Sequence, residues 1–264
     1  MKYTLGFIGV GNMGSALLFA ALRTVNADKI AICDSDSEKT EALAKGYGVA
    51  VTTAEEITAN AEFVILGVKP YSIEGVIKKI LPYLHSDTTI VSMAAGISLW
   101  QIANYLGNHT RSIIRIMPNT PCTVGMGVIE YAAVNTTDEK KEQFVQAFSA
   151  AGLLDEIDES KIDAASALSG CGPAFVYLFA EALADGAVEC GLPRDKAILY
   201  AAKTLQGAGK MLEEYRSAGD LKDAVCSPGG TTIAGVHALE KGGLRAAAMD
   251  AVIAAYEKTL KLQK

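Results

Sequence analysis

Over the first 158 residues, short blocks rich in β-branched and aromatic side chains alternate with longer blocks of helical periodicity. Thr4–Gly9, Lys29–Cys33, Val49–Val51, Glu62–Gly67, Thr88–Met93 and Ser112–Met117 read as buried strands. Between them, Ser15–Leu22, Ser37–Lys45, Thr53–Asn60 and Ser72–Leu81 repeat apolar residues at three- and four-residue spacing, as helices do. Two further strands, near Gly127–Ala132 and Leu153–Ile157, flank a helix over Asp138–Ala150. This alternation predicts an α/β fold with a doubly wound, Rossmann-type sheet over residues 1–158.

The pattern then changes. From Ile162 onward no strand pattern appears, and helical runs are separated by Gly and Pro: Ile162–Leu168, Pro173–Cys190, Pro193–Tyr215, Asp220–Cys226, Thr231–Lys241 and Leu244–Leu262. Residues 159–264 therefore read as an all-helical second domain. Pro173–Cys190 is apolar around most of its circumference, with Glu181, Asp185 and Glu189 forming one acidic stripe. A single helical layer cannot cover such a cylinder, which points to burial in a homodimer interface.

Composition narrows the partners. The formal charge is −6 and no basic block occurs, which argues against nucleic acid and anionic membrane. No uninterrupted apolar run reaches the roughly 18 residues of a membrane span. The N-terminus leads straight into a strand pattern without a cleavable apolar segment. Five scattered cysteines with no Cys-x-x-Cys pair read as reduced thiols, so a cytoplasmic location is expected. No metal-ligand cluster, no Gly-x-Ser-x-Gly and no Gly-Lys-Ser/Thr loop ending is present.

Two motifs carry the chemistry. Gly9-Val-Gly11-Asn12-Met13-Gly14 lies between the first strand and the first helix, the arrangement that holds a dinucleotide pyrophosphate. Asp34 ends the second strand 20 positions after Gly14, about where an acid accepts a ribose 2′-hydroxyl. It also suits a strand-end turn, and both roles are compatible. An acid there leans toward NADH over NADPH. Val68-Lys69-Pro70 and Ala94-Ala95-Gly96 follow two central strands, at the edge where such sheets bind ligands.

The second motif is Cys226-Ser227-Pro228-Gly229-Gly230-Thr231-Thr232, a flexible loop feeding a helix. Thr231 and Thr232 are suited to cap that helix, and its first N–H groups can hold a carboxylate or phosphate. No lysine occurs between Lys161 and Lys196, where 3-hydroxyacid dehydrogenases of similar plan carry their base. A C=N bond needs no such base, because a protonated imine is already electrophilic. A hydroxyl such as Thr232 suffices to contact the ring nitrogen.

Leu221-Lys-Asp-Ala-Val-Cys-Ser-Pro-Gly-Gly-Thr-Thr-Ile-Ala-Gly-Val-His-Ala-Leu-Glu240 resembles the signature of the 1-pyrroline-5-carboxylate reductases. Gly6–Met13, Val68–Pro70, Ala94–Gly96, Met117–Pro121 and Leu168–Pro173 are similar to further motifs of that family. The resemblance implies reduction of 1-pyrroline-5-carboxylate to L-proline with NADPH or NADH. It implies cofactor contacts at Ile8, Gly9, Gly11, Asn12 and Met13, at Asp34, and at Val68, Lys69, Pro70, Ala94, Ala95 and Gly96. It implies a substrate carboxylate at Gly230, Thr231 and Thr232 beside Ser227, with Thr232 as the catalytic contact to the imine. Interlocked homodimers, some built into decamers, are implied as well. Another cyclic imine carboxylate as substrate, or a nicotinamide-binding sensor without turnover, are the competing readings. Two departures bear on cofactor choice: the family often has Ser, Arg or Thr where Asp34 stands, and an Asn within the segment that reads Ala54-Glu-Glu56 here.

Overall fold

The computed structural model describes residues 1–262. Its first part runs Tyr3–Ile8 (β1), Asn12–Ala21 (α1), Ile30–Cys33 (β2), Ser37–Tyr47 (α2), Ala50–Val51 (β3), Ala54–Asn60 (α3) and Ala61–Leu66 (β4). It continues with Ile73–Ile80 (α4), Thr89–Ser92 (β5), Leu99–Tyr105 (α5), Ile113–Pro118 (β6), Gly127–Val134 (β7), Asp138–Phe148 (α6) and Gly152–Glu156 (β8). The eight strands form one sheet in the order β3-β2-β1-β4-β5-β6-β7-β8. Neighbours are parallel except β6 and β7, which pair antiparallel.

Both faces of the sheet's centre are covered, which is why its inner strands β1, β2, β4 and β5 read as near-continuous apolar runs rather than alternating ones. Along β4, Phe63 and Ile65 join Leu17, Leu18, Phe144 and Phe148 on one face. Val64 and Leu66 join Ile57, Ile77 and Ile102 on the other. One helix, α5, was not anticipated. Its seven residues are too few for a periodic signal, and it is started by a capping box in which Ser98 and Gln101 bond each other's backbone N–H.

The later helices are Glu159–Ser169 (α7), Gly172–Glu189 (α8), Arg194–Tyr215 (α9), Ala218–Ala224 (α10), Thr231–Lys241 (α11) and Leu244–Leu262 (α12). The described residues divide into two compact units: residues 1–171 with 255–262, and residues 172–254. Strands end before residue 158, yet α7 packs on β6 and β7 and so belongs with the sheet.

The second unit has a thin core of its own, Ala184, Ala197 and Ala201 against Ala187, Val188 and Leu192. Tyr177, Leu178, Ile198, Leu199 and Tyr200 are exposed on α8 and α9. The stretch Glu159–Glu189 is long and apolar enough, by length and composition, to cross a bilayer. This differs from the sequence expectation, because α7 and α8 count together although Gly170 and Cys171 part them.

Candidate active site

Four segments meet at the carboxyl ends of β1, β2, β4 and β5. The glycine loop comes first. Gly9 has φ +97°, and its N–H donates to Cys33 O at 2.8 Å. Its carbonyl oxygen lies 2.4 Å from where a Cβ on Gly14 would sit and 2.3 Å from one on Gly67. These two glycines are therefore required by the loop's own backbone. Gly11 is different. An added Cβ there meets no protein atom within 4 Å, so this position leaves the backbone open to close approach.

Helix α1 begins at Asn12 with Gly11 as a cap that supplies no side-chain acceptor. The N–H groups of Asn12 and Met13 have no partner within the helix, which suits them to a phosphate. Ile8 ends β1 in the buried sheet just ahead of the loop.

Asp34 is tied into this loop. Its Oδ2 accepts the Val10 N–H at 2.7 Å, while Oδ1 accepts the Asp36 N–H at 3.1 Å and the Ser35 hydroxyl at 3.2 Å. Partial burial works to raise its pKa, but these donors outweigh it and hold the carboxyl below the usual range. The cap of α2 is Asp36, which accepts the Lys39 N–H at 3.1 Å. Next to Asp34, Cys33 is pushed up to about 11 by burial and then by the Asp34 charge, so its thiol stays protonated.

Beyond β4, Val68 is half-buried and Lys69 exposed, and Lys69 caps a short turn that starts at Pro70. Beyond β5, Ala94 and Gly96 are buried, with Gly96 at φ +76° closing a turn from Ala94 O to the Ile97 N–H. Ala95 between them is half-buried. The Ala94 N–H is held by the Ser92 hydroxyl at 3.3 Å. These segments lie where the chain order reverses across the sheet, between β1 and β4, which is the usual ligand crevice of such a fold. Open backbone at Gly11, an uncapped α1 and the exposed Lys69 fit a dinucleotide diphosphate. Among the described residues no His/Cys/Asp/Glu group could hold a metal ion.

The anion loop lies in the other unit. Gly229 takes φ +69°, and the Gly230 N–H donates to Ser227 O at 3.0 Å. The cap of α11 is Gly230, without a side-chain acceptor, and Thr231 and Thr232 are the first two helical residues. This corrects the expectation that the threonines cap the helix. It also strengthens the anion reading, because no side chain of the protein takes the first N–H groups of α11. Ser227, Thr231 and Thr232 are exposed, and Gly230 is half-buried.

A family model described as pyrroline-5-carboxylate reductase dimerisation matches residues 159–262. A second, described as NADP oxidoreductase coenzyme F420-dependent, matches residues 4–96. The pyrroline-5-carboxylate reductase of Pisum sativum is 40% identical across 99% of this chain and 96% of its own length. That of Escherichia coli K12 is 39% identical across the full length of both. The chain belongs to the pyrroline-5-carboxylate reductase family. A solved member from Plasmodium falciparum, with NADP bound, superposes over the whole of both chains with a TM-score of 0.88 at 32% identity. The α/β unit followed by a helical domain is thus the family's architecture, and an NAD(P)H-dependent oxidoreductase is the family's chemistry.

Two further groups escaped the sequence reading. Arg115, in the middle of β6, is 2% exposed and ion-paired to Glu159 and Asp163 of α7. A single arginine inside Ile113-Ile-Arg-Ile-Met117, with two acids four residues apart on a helix, was the available signal. Glu130 on β7 is also buried, and burial raises its pKa.

Proposed function

We propose that this protein reduces the C=N bond of 1-pyrroline-5-carboxylate to L-proline, the last step of proline biosynthesis. Membership of the family over the full length supports the reaction, and the side-chain-free cap of α11 supports the substrate's charge. In this reading the carboxylate is held by the N–H groups of Gly230, Thr231 and Thr232, with Ser227 beside them. The Gly230 N–H already bonds Ser227 O, so the larger share falls to Thr231 and Thr232. The exposed Thr232 hydroxyl contacts the imine nitrogen and orients the ring.

NAD(P)H, when bound, would supply the hydride to the carbon of the protonated imine; the C=N π pair goes to nitrogen as its lone pair, and that nitrogen takes a proton from water through the Thr232 hydroxyl to end as the ammonium of proline. The residues that would hold the cofactor are Ile8, Gly9, Gly11, Asn12, Met13, Asp34, Val68, Lys69, Pro70, Ala94, Ala95 and Gly96. Asp34, ionised and placed at the end of β2, favours NADH. Residues 1–158 are then the cofactor module and residues 159–264 the substrate and dimerisation module, with α7 at the start of the latter packed on the sheet of the former.

The exposed apolar faces of α8 and α9 support a second copy of the chain, rather than lipid, as their cover. The homodimer is the assembly unit in this reading, and decamers would be built from dimers. Five free cysteines fit a reducing cytoplasm. The deciding experiment follows NADH and NADPH oxidation with pyrroline-5-carboxylate and with its six-membered homologue. Turnover confined to the five-membered ring supports the reading; cofactor binding without turnover on either ring ends it.

A further inference from the structure

The cofactor-edge turn Ala94–Gly96 is followed within three residues by the first turn of α5. The Leu99 N–H there donates to Glu159 Oε1 at 2.6 Å, although the two residues are 60 positions apart. Glu159 stands in the first turn of α7, and the same oxygen is 3.3 Å from Arg115 Nη1. Arg115 is in turn anchored by Asp163, one helical turn further along α7. The N–H groups of Ser98 and Gln101 are taken locally, each by the other's side chain. Glu159 is thus the link from the turn and its helix to the buried charge cluster beneath α7.

We propose that Glu159, held by Arg115, is a positioning residue for the cofactor: it fixes the start of α5 and thereby the backbone of Ala94–Gly96. The turn's own restraints are Ala94 buried in the core and long hydrogen bonds, the Ile97 N–H reaching Ala94 O at 3.3 Å among them. Upstream, the Ser92 hydroxyl holds the Ala94 N–H at a long 3.3 Å, and Gly96 in the left-handed region adds no side chain to lock it. A carboxylate at a helix N-terminus also complements the helix dipole. Reach matters more than charge here, because the carboxylate oxygen must bridge from α7 to a backbone N–H.

The proposal rests on the reading that Ala94–Gly96 contacts the nicotinamide cofactor, and direct binding separates the two. NADH and NADPH titrations are read directly from the emission of the reduced nicotinamide. Three variants are compared with wild type. Glu159→Ala removes the acceptor, Glu159→Asp keeps the charge but shortens the reach, and Glu159→Gln keeps the reach without the charge.

Ala and Asp are expected to weaken cofactor binding about tenfold, the size of one lost hydrogen bond to a charged group, with Gln within about threefold of wild type. KM for the imine acid and kcat at saturating cofactor stay near wild type. If Glu159→Ala fails to fold, the order of Asp and Gln still decides. Asp binding like wild type while Gln binds poorly overturns the proposal, as does unchanged cofactor affinity in every variant or a rise confined to the imine KM. Wild-type protein that binds neither cofactor overturns the underlying reading instead.

Discussion

Asp34 Oδ2 accepts the Val10 N–H at 2.7 Å, joining the end of β2 to the loop that follows β1. One carboxylate therefore does two things. It anchors the glycine loop, and it places a negative charge where the adenosine ribose of a dinucleotide lies in folds of this kind. Oδ1 is filled by the Ser35 hydroxyl and the Asp36 N–H, but Oδ2 keeps a second acceptor site beside the Val10 bond, so anchoring the loop does not preclude accepting a ribose hydroxyl.

The two functions of Asp34 come apart on mutation. Asp34→Ser removes the charge and the anchor, whereas Asp34→Asn removes the charge and keeps an acceptor for Val10. Both are expected to raise the ratio of kcat/KM for NADPH to that for NADH by about tenfold, the factor that about 1.4 kcal/mol of relieved repulsion produces. Only the serine variant should also lose affinity for both cofactors, through the loosened loop. Steady-state kinetics with each cofactor checks this, and an unchanged ratio in both variants shows that Asp34 does not read the ribose.

Gly11 and Gly14 sit three residues apart in one motif, yet their substitutions should fail for different reasons. A Cβ on Gly14 lands 2.4 Å from Gly9 O, a backbone atom that cannot swing aside, so Gly14→Ala is expected to cost about 1–3 kcal/mol of stability. A Cβ on Gly11 meets nothing of the protein within 4 Å. Gly11→Ala should fold with wild-type stability and lose cofactor affinity by about tenfold or more, because the ligand's approach is what the methyl group blocks. Urea unfolding and NADH titration on the two proteins separate the cases.

In the anion loop, an added Cβ on Gly230 would lie 2.4 Å from Ser227 Oγ. Gly230 is at φ −78°, which any residue adopts, so the penalty is contact alone. Gly230→Ala should raise KM for the imine acid several-fold, and adding Ser227→Ala should recover part of it by clearing the contact. Thr232→Ala addresses the chemistry: turnover is expected to fall by about 10²-fold, the low end for a positioned proton-transfer group, while NADH affinity is unchanged. Wild-type turnover in that variant removes Thr232 from the mechanism.

The fold and both motifs were legible because their signals are local. The inner strands of the sheet are buried on both faces, so they read as short apolar blocks, and Gly9 and Gly14 declare a turn that few other residues can make. What escaped was set by tertiary contacts. Helix α5 is seven residues long and depends on Glu159 from another element for part of its cap. Arg115 looks out of place in its strand until α7 brings Glu159 and Asp163 over it. The threonines after Gly230 look like caps in sequence, since Ser and Thr are favoured there, but the helix starts at Thr231 as its run reads, and the cap falls on Gly230, whose N–H bonds Ser227 O.

Glu130 supplies a prediction with a definite sign. It is 5% exposed, lies opposite Met117 across β6 and β7, and its Oε2 has no hydrogen-bond partner. Burial raises its pKa above the ordinary glutamate value; the nearby Ser169 hydroxyl pulls partway back, and Asp155 pushes it up further. Between the unfolded and folded values the folded state binds more protons, so stability falls as pH rises through that window and stays reduced above it. Glu130→Gln removes the ionisation. The variant is expected to resist urea better than wild type at about pH 7, with the gap closing at about pH 4, where both side chains are neutral. Urea midpoints at the two pH values test it: a gap that is the same at both would mean that packing, not the buried charge, separates the proteins.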